Sequence, residues 1–252
     1  MEIFIIAAGA VVAGFVQGLS GFGFGLVALS IWIWFLPPPL AAALSVFGSL
    51  TGQIVAAITV RRTVLWPIVL PFLIGGALGV PLGIVILPHL DVVIFKAALG
   101  AVLLIWCPLL LMSSRLPALT FGGRFCDAIA GGLGGAMSAL GGLSGVAPTL
   151  WSTLRGFDKV TQRNVIQTFN LSILSVTFLA YIITGHITIA MLPKLAVVAP
   201  AILIPVIVGT RVYVGISDLA FKRVVLSLLT ASGLALLTTA LPALLDRFTA
   251  FG

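Results

Sequence analysis

Gly18-Leu19-Ser20-Gly21-Phe22-Gly23-Phe24-Gly25 is the stretch on which the fold turns, because its first four residues recur at Gly142-Leu143-Ser144-Gly145. The copies lie about half the chain apart, each inside an apolar run. Glycine at this density costs a helix about 1 kcal/mol per residue against alanine. A helix breaker set once in each half predicts two broken membrane helices facing one another across a pseudo-twofold axis.

The composition sets the class. The chain is 61% hydrophobic and 8% charged, with a mean hydropathy of +1.29, which excludes an ordinary soluble domain. Apolar runs long enough to cross a bilayer recur from end to end, and they are continuous rather than alternating, which excludes a β-barrel. Met1-Glu2-Ile3-Phe4 lacks a basic n-region, so no secretory signal is expected. Cys107 and Cys126 stand in different segments as apolar filler, without metal-ligand spacing. The net charge of +7 falls in short loops, where it sets orientation and meets lipid headgroups rather than nucleic acid.

Apolar segments run over 3–35, 41–60, 64–87, 92–112, 128–154, 165–183, 192–209 and 224–245. The first, at 1.5 Å per residue, is near 50 Å and too long for one plain crossing. The fifth shares the anomaly and holds Gly131, Gly132, Gly134, Gly135, Gly141, Gly142 and Gly145. Phe95-Lys96 recurs at Phe221-Lys222 and Phe47 at Phe169, with nearly the same spacing as the glycine motif. The expected fold is an all-α polytopic membrane protein of two repeats, 1–115 and 116–252. Each repeat has about four helical segments, the first broken or re-entrant at its glycines.

Basic residues weigh the alternatives. Eight plain crossings put Arg61, Arg62, Arg115, Arg124, Lys194 and Arg247 on one side and seven cations on the other. Re-entrant first and fifth segments gather Arg61, Arg62, Arg115, Arg124, Arg155, Lys159, Arg163, Arg211, Lys222 and Arg223 on the cytoplasmic side. Only Lys96, Lys194 and Arg247 then remain outside. Ten against three favours the re-entrant form, which makes the halves inverted copies. Eight crossings with long tilted helices is the alternative.

A re-entrant hairpin brings helix N-termini and their unpaired N–H groups to mid-membrane, where they suit an anion. Ser20, Gly21, Phe22 and Gly23 from one half, with Ser144 and Gly145 from the other, are the candidate cradle. Close helix packing is the other use of the same glycines. Asn164, Gln167 and Asn170 make a polar stripe that must face protein or a wet cavity. The second segment offers Ser45, Ser49, Thr51 and Gln53 at matching depth, and Gln53 and Gln167 are the expected side-chain donors. Arg155, Arg163 and Arg211 could draw anions to a vestibule or simply fix topology. The acids lie near segment ends, so neither a proton relay nor a sodium site has an obvious carboxylate. Expelling a monoanion from a negative interior is favoured by about 2.3 kcal/mol per 100 mV, which needs no coupling ion.

GxSG is also the nucleophile motif of rhomboid intramembrane serine proteases. A serine nucleophile needs a base, and the two histidines, His89 and His186, fall in predicted loops.

The chain resembles the TauE/SafE sulfite-exporter family, also called the toluene-sulfonate uptake permease family. The resemblance rests on the glycine-rich pair 15–23 and 134–145, and on Gly75-Gly76-Ala77-Leu78-Gly79 with Gly83 and Gly209-Thr210-Arg211. It rests also on Leu154-Arg155-Gly156-Phe157-Asp158-Lys159, Gln162-Arg163 and Gln167-Thr168-Phe169-Asn170-Leu171. It implies transport of sulfite, a sulfonate or another small organic anion across a bacterial inner membrane, without metal or cofactor. Membrane lipid and a second copy of the chain are the expected partners. An anion channel and a carboxylate carrier are the alternatives. Val146-Ala147-Pro148 stands where the first copy has Phe22-Gly23-Phe24, so the halves are expected to contribute differently.

Overall fold

The chain breaks into helices where its glycines demand it. In the computed structural model, which describes residues 1–59, 64–112, 119, 122–212 and 218–249 with side chains at 210–212, 218–224 and 248–249 excepted, there is no strand among the described residues. Arg61, Arg62 and Arg115 lie outside the described residues, as do the side chains of Arg211, Lys222 and Arg223.

Helix α1 (Glu2–Ser20) stops at Gly21, whose φ of 77° is left-handed, and its N–H closes onto the Gln17 carbonyl. Gly23, at φ 97°, then starts α2 (Phe24–Trp32). The second half breaks in the same way. Helix α6 (Gly123–Gly141) is capped by Gly142 at φ 72°, and α7 (Val146–Leu154) follows. Both pairs are 19 residues followed by 9. By this capping Gly21 corresponds to Gly142, three residues out of register with the duplicated motif. Ser20 therefore ends a helix, while Ser144 lies wholly within a loop.

The remaining helices are α3 (Pro38–Thr59), α4 (Trp66–Ile86), α5 (Val92–Met112), α8 (Lys159–Ile183), α9 (Leu192–Val212) and α10 (Asp218–Thr249). Proline is tolerated in a first turn, whose N–H groups lack helical partners anyway, and α3 opens on two. Asp158 caps α8, accepting from the N–H groups of Val160 at 3.0 Å and Thr161 at 3.1 Å. Among the described residues seven helices are long and apolar enough to cross a membrane: α1, α3, α4 with its terminal 3-10 turn, α5, α8, α9 and α10. Ile58, Leu78, Val85, Ile183, Ile204 and Leu228 stand exposed on their outer faces, as lipid contact requires.

Each broken pair is a hairpin. Trp32, ending α2, donates from Nε1 to the Ile5 carbonyl near the start of α1 at 3.2 Å. Trp151 of α7 donates to Asp127 Oδ1 near the start of α6 at 2.7 Å. The hairpins pack crosswise between the halves. Gly14 and Gly18 of α1 meet Ile202 and Val206 of α9, so these helices run parallel. Phe72, Gly76 and Gly83 of α4 meet Gly131, Gly135 and Ala139 of α6, also parallel. Helices α5 and α10 run antiparallel, with Gly100 against Gly233 and Asp91 paired with Arg247 at one end. At that end Lys194 pairs with Glu2 at 2.5 Å and Lys96 lies 4.5 Å over the Trp34 ring.

Candidate functional site

The two breaks meet. A Cβ on Gly25, early in α2, would come 2.8 Å from the carbonyl oxygens of both Gly141 and Gly142, so only glycine lets the backbones approach this closely. Ser45 of α3 donates to the Gly141 carbonyl at 2.7 Å, tying the second break to the first half. Trp106 of α5 donates to the Val146 carbonyl at 2.7 Å and takes the Phe22 ring edge-on at 5.9 Å. Its indole therefore touches both breaks. The second break is buried throughout residues 141–146, whereas Gly21, Phe22 and Gly23 are half-buried.

Between them lies a small cavity. Phe22, Gly23, Phe24 and Leu26 form one wall and residues 142–146 the opposite one; Gln17, Ser49, Gln53, Asn170 and Leu174 close the sides. It leaves about 20 Å³ for the centre of a water-sized sphere, room for roughly one water. Among the described residues no acid, base or cysteine lines it. Its electrostatics come from two helix starts. Neither Gly23 nor Gly145 offers a side-chain cap, so the N-termini of α2 and α7 bring partial positive charge to its edge; at α7 the Val146 N–H already donates to the Leu143 carbonyl and Pro148 has no N–H.

Seven of the ten residues expected to bind substrate line the cavity. Phe22, Gly23, Ser49, Gln53, Ser144, Gly145 and Asn170 are on the wall. Ser144 donates to Asn170 Oδ1 at 2.9 Å, and a Cβ on Gly145 would stand 3.1 Å from Asn170 Nδ2. Gln53 Nε2 donates to the Gly21 carbonyl at 2.9 Å. Ser20, Gly21 and Gln167 lie behind the wall. The Ser20 hydroxyl contacts the Val16 carbonyl at 2.7 Å and the Phe22 carbonyl, and accepts from the Phe22 N–H at 3.3 Å; Gln167 Nε2 stands 3.1 Å from where a Gly21 Cβ would be.

Arg155 is held in an ion pair at the α6–α7 hairpin. It pairs at 2.5 Å with Asp127, which is 1% exposed, and lies over the Phe157 ring at 5.0 Å. Arg163 is exposed in the second turn of α8. Arg211 is in α9 with its side chain outside the described residues.

Sequence reasoning missed Gln17 and Trp106 as site residues. Gln17 is 3% exposed and donates from Nε2 to the Ser49 carbonyl at 2.9 Å. Trp106 sits mid-helix in an apolar segment, and a buried indole N–H there must find an acceptor; that requirement was the available signal. Neither GxSG serine is bonded to a histidine: His89 Nδ1 meets the Val85 carbonyl and His186 Nδ1 meets Thr184 Oγ1.

A family model described as sulfite exporter TauE/SafE matches residues 6–236. No curated protein and no solved structure matches.

Proposed function

The chain belongs to the sulfite exporter TauE/SafE family of membrane transporters, and from that premise we propose that it carries a small sulfur oxyanion outward across a bacterial inner membrane, alternately exposing the cavity between its two halves. The observation that carries this reading is the convergence of two helix N-termini without side-chain caps on one cavity lined by uncharged residues. The first-turn N–H groups of α2 and two helix dipoles stabilise an oxyanion without a fixed cation. A site lacking full cations also releases its anion readily, which a carrier needs.

Helix directions support an inverted repeat with re-entrant hairpins. If α3, α4, α5, α8, α9 and α10 each cross once, antiparallel α5 and α10 require each hairpin to return to the side it entered from. Plain crossing by the broken pairs would make α5 and α10 parallel. The hairpin form places the three paired cations Lys96, Lys194 and Arg247 on the outer side and the other basic residues inside. The small cavity favours a carrier over an open channel, since sulfite needs more space than the roughly one water it holds and must be admitted by movement of the halves.

Ligand-dependent thermal stabilisation of the detergent-purified chain tests the reading with sulfite, sulfate, thiosulfate, sulfoacetate, acetate and chloride. A ligand at a hundred times its dissociation constant adds about 2.7 kcal/mol if it binds only the folded state. Selective stabilisation by a sulfur oxyanion is expected; a response to acetate alone would replace the sulfur assignment with a carboxylate.

A further inference from the structure

The helix starts supply donors, yet the side chains around them present the opposite chemistry. Gln53 is 2% exposed and lines the cavity. Its Nε2 is committed to the Gly21 carbonyl, and its Oε1 has no hydrogen-bond partner. Gln17 behaves in the same way. Its Nε2 is committed to the Ser49 carbonyl, and its Oε1, packed against Gly52, also lacks a partner. In both amides the nitrogen faces a backbone carbonyl, so turning either one over would set oxygen against oxygen. Each Nε2 spends one of its two N–H donors on that carbonyl, while each Oε1 stands as an acceptor with nothing to accept from.

A buried acceptor left without a donor is unfavourable. The cavity that both glutamines line has room for roughly one water. A ligand that displaces such a water gains only if it replaces the lost hydrogen bond. A fully deprotonated oxyanion, or a sulfonate with a bare alkyl group, has acceptors alone and leaves Gln53 Oε1 unmet.

We propose that the site takes monoanions that carry a hydrogen-bond donor of their own, such as hydrogen sulfite or a hydroxyl-bearing sulfonate, in preference to monoanions that carry none. The oxyanion end lies against the N-termini of α2 and α7, and the donor is accepted by Gln53 Oε1, with Gln17 Oε1 the second acceptor. The inference rests on the anion-carrier reading above and specifies its substrate. Since no titratable side chain among the described residues lines the cavity, the selectivity belongs to the ligand's own donor.

The test is binding to the full-length detergent-purified chain, read by thermal stabilisation, for methanesulfonate and hydroxymethanesulfonate under mildly acidic conditions where the latter is stable. The two have equal charge and differ by one hydroxyl. Hydroxymethanesulfonate is expected to bind about tenfold tighter or more, because a site with a buried polar group rejects the analogue that leaves it unpaired. In Gln53→Met the ratio between the two is expected to fall to about twofold or less. Equal binding of the pair by the native chain overturns the inference and leaves the anion site standing, as does a ratio that persists in Gln53→Met. Should Gln53→Met fail to fold, the native chain's response to the pair decides alone. Absence of binding by both sulfonates and by sulfite overturns the anion-carrier reading itself.

Discussion

Arg247, in the last turn of α10, is ion-paired with Asp91 at the foot of α5. That pair sets the end of one half beside the middle of the other and fixes the two helices antiparallel. With Gly100 against Gly233 farther along, it is the packing detail that separates hairpins from plain crossings.

The first prediction follows from it. In a background without native cysteines, His89→Cys and Lys159→Cys are expected to react with a membrane-impermeant thiol reagent from opposite sides. His89→Cys is labelled in intact cells and Lys159→Cys only in inverted vesicles. Labelling of both from the same side is the outcome that eight plain crossings require, and it would remove the hairpins.

Asp127 is 1% exposed, and its carboxylate is held by Arg155 and the Trp151 indole. Removing one partner of a buried pair leaves an uncompensated charge, at a cost of about 3–5 kcal/mol. Arg155→Met is therefore expected to destabilise strongly, while Arg155→Met with Asp127→Asn recovers most of the loss. A double-mutant cycle on thermal or denaturant unfolding measures this; equal loss in the single and double variants would show that the pair contributes nothing.

Gly25 is where the two breaks touch. Alanine there places a methyl 2.8 Å from two backbone carbonyl oxygens, and overpacking of this kind costs about 1–3 kcal/mol. Gly25→Ala is expected to lower thermal stability and sulfite-dependent stabilisation together. Gly123→Ala, whose Cβ meets nothing within 4 Å but whose φ of 47° is left-handed, should perturb stability alone, and only modestly.

Two carboxylates outside the membrane spans titrate below their usual range. The Thr161 hydroxyl and N–H hold Asp158 down, and the Arg247 guanidinium, with the Ile94 N–H, does so for Asp91. A depressed folded-state value means that each contributes stability above the ordinary carboxylate range, lost as pH falls through the lowered value. Acid is therefore expected to loosen the first turn of α8, read by amide hydrogen exchange at Val160 and Thr161. Asp158→Asn should remove that pH dependence; an unchanged acid response in this variant would assign it elsewhere.

Much of this fold was legible because membrane chemistry leaves few choices. Glycine clusters in two overlong apolar runs marked the breaks at Gly21–Gly23 and Gly142–Gly145, since only left-handed backbone ends a helix so abruptly. The matched motif itself misled by three residues. The structural counterpart of Gly21 is Gly142, because the capping position, not the identity of neighbouring residues, determines correspondence. The polar stripe was legible too: Gln167 and Asn170 are buried as amides in an apolar segment must be. What sequence could not supply was direction. Gln53 and Gln167 read as donors because amides can donate; Gln53 spends one N–H on Gly21 and leaves its oxygen without a partner, and Gln167 lies behind the wall. Orientation depends on which backbone carbonyls come within reach, and those belong to distant helices. Arg155 read as open to solvent for the same reason, its partner Asp127 lying 28 positions earlier in the chain.

The most direct test of the central claim is sulfite efflux from proteoliposomes containing the purified chain, with the membrane potential set by a potassium gradient. Saturable efflux, accelerated when the interior is made negative and weakened by Gln53→Ala, is the predicted result. No efflux above protein-free liposomes, or a flux that rises linearly without saturation, would contradict a carrier built on this cavity.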